Sequence, residues 1–287
     1  MMFHVIVGLG EVGTALEELY HEAENQVVGW DLKRLTHGSS TSFVVPGFNQ
    51  LVTKAQERGE TIVLHICFPY TENFIPQVKY YLGKFDPHYC VIHSTVKPGT
   101  TALLKSSACQ TIYSPVRGQH DKLAEDLQGY PKIWTVAQFE TLTRDNLNEI
   151  KQIFGEARMI SLPALELTAT QLEIIKVLDT TQYASLIAYA HIAEAICTYY
   201  ELPHEYVQEF GLEVHRQTGM RPPIYPGGLG GHCLRPNLEL LLKTLPKWRK
   251  EFPLDSWGLL IDDFLTTIQT IDNQWKAKNG KKNGQDE

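Results

Sequence analysis

Cys233 is the side chain in this sequence whose surroundings most suggest covalent chemistry. It lies in the run Gly227-Gly228-Leu229-Gly230-Gly231-His232-Cys233-Leu234-Arg235-Pro236-Asn237, and apolar burial gives no reason for so many glycines around one thiol. Asn237 is a suitable N-cap for a helix expected over Leu238–Lys243, and a thiol near a helix N-terminus has a lowered pKa and is a better nucleophile. Such a thiolate can attack an aldehyde, and hydride loss from the adduct leaves a thioester for water to cleave. A hydride needs an acceptor. Gly8-Leu9-Gly10-Glu11-Val12-Gly13 is a G-x-G-x-x-G that directly follows the first strand-like run and opens the helix-like Thr14–Glu24. A second strand ends at Asp31, eighteen residues after Gly13. In that setting Gly8 permits a tight turn, Gly10 lets backbone approach a pyrophosphate, and Gly13 lets helix and strand pack closely. Asp31 should accept hydrogen bonds from the adenine ribose and repel a 2′-phosphate, favouring NAD; the cations Lys33 and Arg34 could tolerate that phosphate.

Further candidates stand where open α/β sheets bind ligands, past the carboxyl ends of strands: Phe68 and Pro69 after the third strand, Ser94 and Thr95 after the fourth. Lys176 falls among apolar residues of a long helix. Partly desolvated, it could stabilise an alkoxide or act as a base; alternatively it is a snorkelling surface lysine paired with Glu173 or Gln171. His232 beside Cys233 is not a chelating spacing, so no metal is expected.

The elements that must hold these residues alternate in type. Val5–Val7, Val27–Trp30, Thr61–Ile66, Tyr89–His93 and Thr111–Tyr113 read as strands, with Ile133–Val136 and Met159–Leu162 as candidate edge strands. The runs are apolar at nearly every position, so both faces should be covered, as in a doubly wound parallel sheet. After Pro163 the pattern changes. From about Leu165 to Tyr200 there is neither Gly nor Pro, and the apolar spacing predicts one helix of roughly 35 residues. Further helices are expected at Glu205–Thr218 and Leu254–Trp275. The reading is an α/β protein: a Rossmann-type domain over 1–162, an all-α domain over 163–275, and an unstructured tail over 276–287.

The chain has 287 residues, 43% of them apolar and 21% charged, in the range of ordinary globular proteins. A net charge of −7 with no basic stripe argues against nucleic acid as a partner. No apolar run is long enough to span a bilayer, and the N-terminus lacks the basic stretch and cleavage site of a secretory leader. The five cysteines are scattered and show no C-x-x-C spacing. A reduced, cytoplasmic setting follows as the expectation.

Together, the Gly8–Gly13 turn, Ser94-Thr95-Val96-Lys97-Pro98-Gly99-Thr100-Thr101, Glu173-Ile174-Ile175-Lys176 and the Cys233 loop resemble the UDP-glucose/GDP-mannose dehydrogenase family. The Cys233 loop looks most like its N-acetyl-hexosamine branch. The resemblance covers residues 1 to about 245 and is patchy between the motifs. It implies four-electron oxidation of a primary alcohol on a sugar or nucleotide sugar, with two NAD reduced. It also implies Cys233 and Lys176 as catalytic residues, Thr95 at the substrate, and a homodimer through the long helix 165–200. Arg117, His120 and Arg235 are then the cations available to an anionic substrate, with Gly230, Gly231 and His232 beside it.

The departures from the family bear on the chemistry. The family's P-E after the fifth strand supplies an acid for thioester hydrolysis; this chain has Pro115-Val116. The family's Asn four residues after the helix lysine is Thr180, its Asp four residues after the cysteine is Asn237, and its G-T-P after the third strand is replaced by Cys67-Phe68-Pro69-Tyr70. Family members also continue into a third domain that holds the nucleotide. Two other readings therefore stay open. One is a two-electron dehydrogenase of the β-hydroxyacid or 6-phosphogluconate type that relies on Lys176. The other is a non-catalytic NAD-binding protein.

Overall fold

The structure is a computed structural model, and it describes residues 1–31, 47–219, 229, 234–251 and 257–279. By compactness the chain divides into two units, Met1–Lys176 and Val177–Glu287.

The first unit is built on seven strands: β1 (Met2–Val7), β2 (Gln26–Trp30), β3 (Thr61–Ile66), β4 (Tyr89–Ile92), β5 (Gln110–Tyr113), β6 (Lys132–Val136) and β7 (Ser161–Pro163), in the spatial order β2-β1-β3-β4-β5-β6-β7. The first five run parallel, and β7 is parallel to β6. Strand β6 reverses against β5, with Tyr113 opposite Thr135, so the sheet is mostly rather than wholly parallel. Of the two expected edge strands, only β7 lies at the edge.

Continuous apolar runs make both faces of this sheet into core. Phe3, Val5 and Val7 of β1 pack on one side with Phe48 and Val52 of α2 (Phe48–Glu57) and with Phe74, Val78 and Phe85 of α3 (Phe74–Phe85). On the other side Met2 and Ile6 pack with Leu16 and Tyr20 of α1 (Glu11–Glu22), Leu127 of α4 (Leu123–Gly129), and Ile150 and Phe154 of α5 (Arg144–Glu156). Helix α5 opens with a capping box between Thr143 and Asn146. The N-terminal segment is tied to its far end: Tyr20 Oη donates to the Ile153 carbonyl (2.8 Å), Asn25 Nδ2 to the Glu156 carbonyl (2.7 Å), and His4 Nε2 lies 2.8 Å from Glu156 Oε2.

The long helix, α6 (Ala169–Tyr199), has 31 residues, close to the expected length. Its first turns belong to the sheet's core, through Ala169 and Leu172. That is why the compact units divide at Lys176, inside the helix, and not at Pro163. The second unit contains α7 (Glu205–Thr218), α8 (Leu234–Glu251) and α9 (Trp257–Asn279). Val177, Ala184 and Ile187 of α6 form its core with Leu238 and Leu241 of α8 and Leu265 and Ile268 of α9.

Two expectations change here. Helix α8 is described from Leu234, ahead of the start expected at Leu238. Asn237 is therefore inside the helix and is not its cap. Helix α9 runs to Asn279, so Lys276, Ala277 and Lys278 of the expected tail are helical, with Lys276 Nζ on Asp272 Oδ2 at 2.9 Å. Residues 280–287 lie outside the described residues. Among the described residues, no helix is long and apolar enough to cross a membrane.

Candidate functional site

Strand β1 ends at Val7, and Gly8 turns the chain at φ +96°. A side chain at Gly8 would lie 2.6 Å from the Phe68 backbone nitrogen, so the turn is pressed against the loop after β3. At Gly13 a Cβ would lie 1.9 Å from the Gly8 carbonyl oxygen, which holds α1 close to β1. Gly10 differs: a Cβ there would meet nothing within 4 Å. The three positions thus give a tight turn, a close helix–strand approach and open space over the helix start. Gly10 caps α1 without a side-chain hydrogen bond, which leaves first-turn N–H groups available to an anion.

Asp31 follows β2, and its Oδ2 accepts a hydrogen bond from the Leu9 N–H at 2.7 Å. The carboxylate is thereby fixed at the glycine turn, where a ribose bound there would meet it. Leu9 is committed twice, through that N–H and through its buried side chain, and Val12 packs on the same core. Glu11 is exposed in the first turn of α1. There it suits the helix dipole and opposes a phosphate. Lys33 lies outside the described residues. Phe68 and Ser94 are joined, Ser94 Oγ donating to the Phe68 carbonyl at 2.7 Å. Pro69 is exposed, and Thr95, next to Ser94 after β4, is half-buried.

Glu173 has a different partner from the lysine one turn along. Its carboxylate, 0% exposed, accepts the Gly99 N–H (2.6 Å), the Thr101 N–H (2.8 Å) and the Thr101 hydroxyl (2.5 Å). It ties the start of α6 to the loop carrying Ser94 and Thr95. Burial raises its pKa and these hydrogen bonds oppose the rise. Glu173→Ala, which strands three donors in the interior, is expected to cost about 3 kcal/mol, measured by urea denaturation. Lys176 is buried at 9% exposure, so it is not a snorkelling surface lysine.

Sequence reasoning missed Lys132 and three histidines. Lys132 begins β6, and because β6 is reversed, that beginning lies at the carboxyl edge of β5. Its Nζ donates to the carbonyls of Ser114 (2.6 Å) and Pro115 (3.0 Å). Burial lowers its pKa to about 7, with Cys67 opposing and Lys176 and Arg117 adding to the fall. Burial pushes the nearby Cys67 thiol up to about 12, which makes it a poor nucleophile. Arg117 donates to the Pro131 carbonyl at 2.6 Å. His120 opens a short 3-10 turn, His120–Lys122.

The histidines form a buried row. His4 Nδ1 lies 3.0 Å from His65 Nε2, and His65 Nδ1 lies 2.9 Å from His93 Nε2. Burial holds His4 below the usual histidine range and His65 and His93 well below it. His93 Nδ1 is buried, and a hydrogen bond with the Ser114 backbone opposes the fall in the His93 pKa. A signal was present: all three fall on strand positions in phase with residues of one face, Ile6, Val63 and Val91.

In the second unit Thr180 and Asn237 come together, Asn237 Nδ2 donating to Thr180 Oγ1 at 2.9 Å in the interior. Arg235 is engaged by Glu239 (3.3 Å) and Asp272 (3.4 Å). Asp272, also missed, is buried and accepts the Leu229 N–H at 2.8 Å, so it anchors one residue of the glycine-rich loop. Cys233, Gly230, Gly231 and His232 lie outside the described residues. Among the described residues no group of three His, Cys, Asp or Glu could hold a metal ion.

No protein family matches the sequence, and no curated protein matches it. Solved structures do. UDP-D-ManNAc dehydrogenase from Pyrococcus horikoshii aligns at 17% identity and TM-score 0.65, over 92% of this chain and 69% of that one. 3-Hydroxyisobutyrate dehydrogenase from Mycobacterium tuberculosis aligns at 15% identity and TM-score 0.59, over 94% of this chain and 99% of that one. Psf3 in complex with NADP+ aligns at 16% identity and TM-score 0.58, over 93% of both chains. At these identities the likeness is one of fold: this chain shares the architecture of dehydrogenases, an α/β sheet domain followed by helices.

Proposed function

We propose that the chain is an NAD-dependent dehydrogenase that oxidises an alcohol on a small, sugar-type substrate. The observation that carries this reading is the glycine turn, closed at Gly8 and Gly13, open at Gly10, with Asp31 fixed against it. When bound, the nicotinamide accepts a hydride from the carbinol carbon. The residues around it do the rest. The α1 N-terminus and Gly10 hold the pyrophosphate, and Asp31 binds the ribose and disfavours a 2′-phosphate. Ser94, Thr95 and Lys176 orient the hydroxyl, with Lys176 taking or stabilising its proton. Arg117, His120 and Arg235 are the cations nearest in sequence to the proposed substrate segments.

Cys233 extends the reaction to a carboxylate. Its support is the likeness of the run Gly227–Asn237 to the cysteine segment of the family that the sequence resembles. The aldehyde from the first oxidation would add to the thiolate, a second hydride would leave to a second NAD, and water would release the acid. Two NADH per substrate, reduced to one or none in Cys233→Ser, is the result expected. One NADH per substrate, insensitive to Cys233, would instead mark the two-electron reaction on Lys176. The likeness to 3-hydroxyisobutyrate dehydrogenase over that chain's whole length favours this second reading.

Gly10→Val tests the cofactor site directly. Its Cβ has open space, so stability should be unchanged within about 1 kcal/mol (the cost of a residue less suited to a cap), while NAD affinity falls at least tenfold by calorimetry. Unchanged affinity would remove the cofactor assignment.

The proposal includes a homodimer through the long helix. Helix α6 exposes Leu178, Tyr183, Tyr189 and Ile192, and α7 buries none of its residues while exposing Tyr206 and Phe210. Apolar surface of this kind is what a second copy would cover. Light scattering should give twice the chain mass; the mass of one chain would refute the dimer. A reduced, cytoplasmic setting is also proposed, supported by the four described cysteines, all free thiols.

A further inference from the structure

Because β6 is reversed, its first residue, Lys132, stands at the carboxyl edge of the sheet. The chain there is laced to the loop after β5. Lys132 Nζ donates to the carbonyls of Ser114 (2.6 Å) and Pro115 (3.0 Å), Ser114 Oγ to that of Ile133 (2.9 Å), and Arg117 to that of Pro131 (2.6 Å). The Ser114 N–H donates in turn to the Ile92 carbonyl (2.9 Å), so the ladder between β4 and β5 continues past both strand ends. Carried on in register, it sets Pro115 level with Ser94, one strand spacing of ~4.8 Å away. Lys132 Nζ therefore lies within about 10 Å of the Ser94 backbone, in reach, across one water, of a hydroxyl held at Ser94 and Thr95.

The hydrogen-bond count identifies the form of the amine. An ammonium carries three N–H donors; a neutral amine carries two and a lone pair. Lys132 is 3% exposed, and among the described residues no third acceptor meets it. Two donors for two carbonyls is the neutral count, and a third N–H in this interior would go unpaired. Electrostatics agree. Burial, the largest effect, brings the Lys132 pKa down to about 7, with Cys67 after β3 opposing and Lys176 of α6 and Arg117 adding to the fall. The other groups it acts on are His65 of β3 and His93 of β4, both held neutral by burial. None of these neighbours is a carboxylate that would hold the proton on. Where two ionisable groups share a site and are pushed apart, the pair divides the acid and base work. Here Lys132 is the one that gives up its proton, and Lys176 acts on it as a cation.

We propose that Lys132 is the base of the dehydrogenase site, a neutral amine that takes the alcohol's proton through one water while Lys176, as an ammonium, steadies the oxygen. This rests on the dehydrogenase reading and divides between two lysines what that reading gives to one. The carbinol C–H bond breaks and its electron pair leaves as hydride to the dinucleotide. The O–H bond breaks and its pair closes the carbonyl double bond. That proton passes to the water, and a proton of the water passes to the Nζ lone pair. Lys132 is then an ammonium with one donor more than its two carbonyls can take, and it returns the extra proton to solvent as product leaves. One proton enters and one leaves, and the amine regains its first state.

The test uses the full chain labelled with 15N-lysine. One Nζ resonance should titrate with a midpoint at about 7, against ~10.4 for exposed lysines. It should vanish in Lys132→Gln and move upward in Lys176→Met, which removes a repelling charge. A Lys132 midpoint above ~9, near that of an ordinary lysine, overturns the proposal, and this measurement on the unaltered chain holds even if a variant does not fold. A second arm follows NADH formation against pH. The rate should rise through about pH 7. Lys132→Gln keeps two N–H donors for the two carbonyls and has no basic lone pair. It should lose that rise and at least ~100-fold in kcat, with KM unchanged. A retained rise with unchanged kcat would leave Lys132 a structural link and overturn the base. If no alcohol yields NADH, the dehydrogenase reading fails and the base falls with it, while the titration still decides whether Lys132 is the neutral amine.

Discussion

Acidification just below pH 6.5 should destabilise the first unit steeply. His65 and His93 are held well below the usual histidine range by burial, and His4 is also lowered. In the unfolded chain these imidazoles take up protons near pH 6.5, and in the fold they do not. The unfolded state therefore binds more protons below 6.5. The stability they confer is complete above that pH and is lost as pH falls toward the folded values. Each group held neutral is worth about 1.4 kcal/mol per pH unit, so His65 and His93 together set a slope of roughly 2.7 kcal/mol per unit, with His4 adding in the same direction. Glu173 is raised, and so it has the opposite sign above its unfolded pKa, one group against three. Lys132, lowered to about 7 from 10.5, acts in another window: its contribution grows as pH rises from 7. Urea denaturation at pH 7.5, 6.5 and 5.5 measures the slope, and His65→Gln, which does not titrate, should remove about one third of it. A flat profile would contradict the neutral, buried assignment of the row.

Gly13→Ala should do more damage than any other single methyl group in the cofactor turn. The new Cβ would fall 1.9 Å from the Gly8 carbonyl oxygen and 3.3 Å from Ile6 Cγ2. The first clash is with backbone, so no side-chain rotation relieves it, and α1 must move off β1. Overpacking of this kind costs about 3 kcal/mol or more. The displacement also moves the helix N-terminus that would hold the pyrophosphate, so NAD binding should be lost along with stability. Gly10→Val separates the two effects, since it should lose binding alone. Native-like urea stability in Gly13→Ala would mean that α1 does not depend on this contact.

Much of the fold was legible because both faces of the sheet are buried. The β-branched runs at Thr61–Ile66 and Thr111–Tyr113 could be nothing but strands, and Glu205–Thr218 is bounded as its spacing predicts. The reversal of β6 was not legible, since a short run such as Lys132–Val136 carries no mark of direction. Asn237 hid the earlier turn of α8 by looking like a cap when it lies inside the helix. At the site, the glycine turn could be read because Gly8, Gly10 and Gly13 lie within six residues of chain, whereas the approach of Gly8 to Phe68 could not. Glu173 could not: its partners Gly99 and Thr101 are more than 70 residues away. Period-two alternation shows which face His4, His65 and His93 occupy. That they touch depends on strand order and register, which no single strand encodes.

The clasp between the N-terminal segment and the end of α5 bears on when this protein can fold. His4 and Glu156 are 152 residues apart, and the Tyr20 and Asn25 bonds span 133 and 131. At synthesis rates of ~5–20 residues per second, β1 waits about 8–30 s before its last partner is made. During that wait His4 is open to water and the rim of β1 and α1 lacks the α5 surface that seals it. The nascent sheet therefore holds an incomplete, sticky face, and a chain cut before residue 156 should collapse without closing. Order of assembly, and not only final packing, is written into those three bonds.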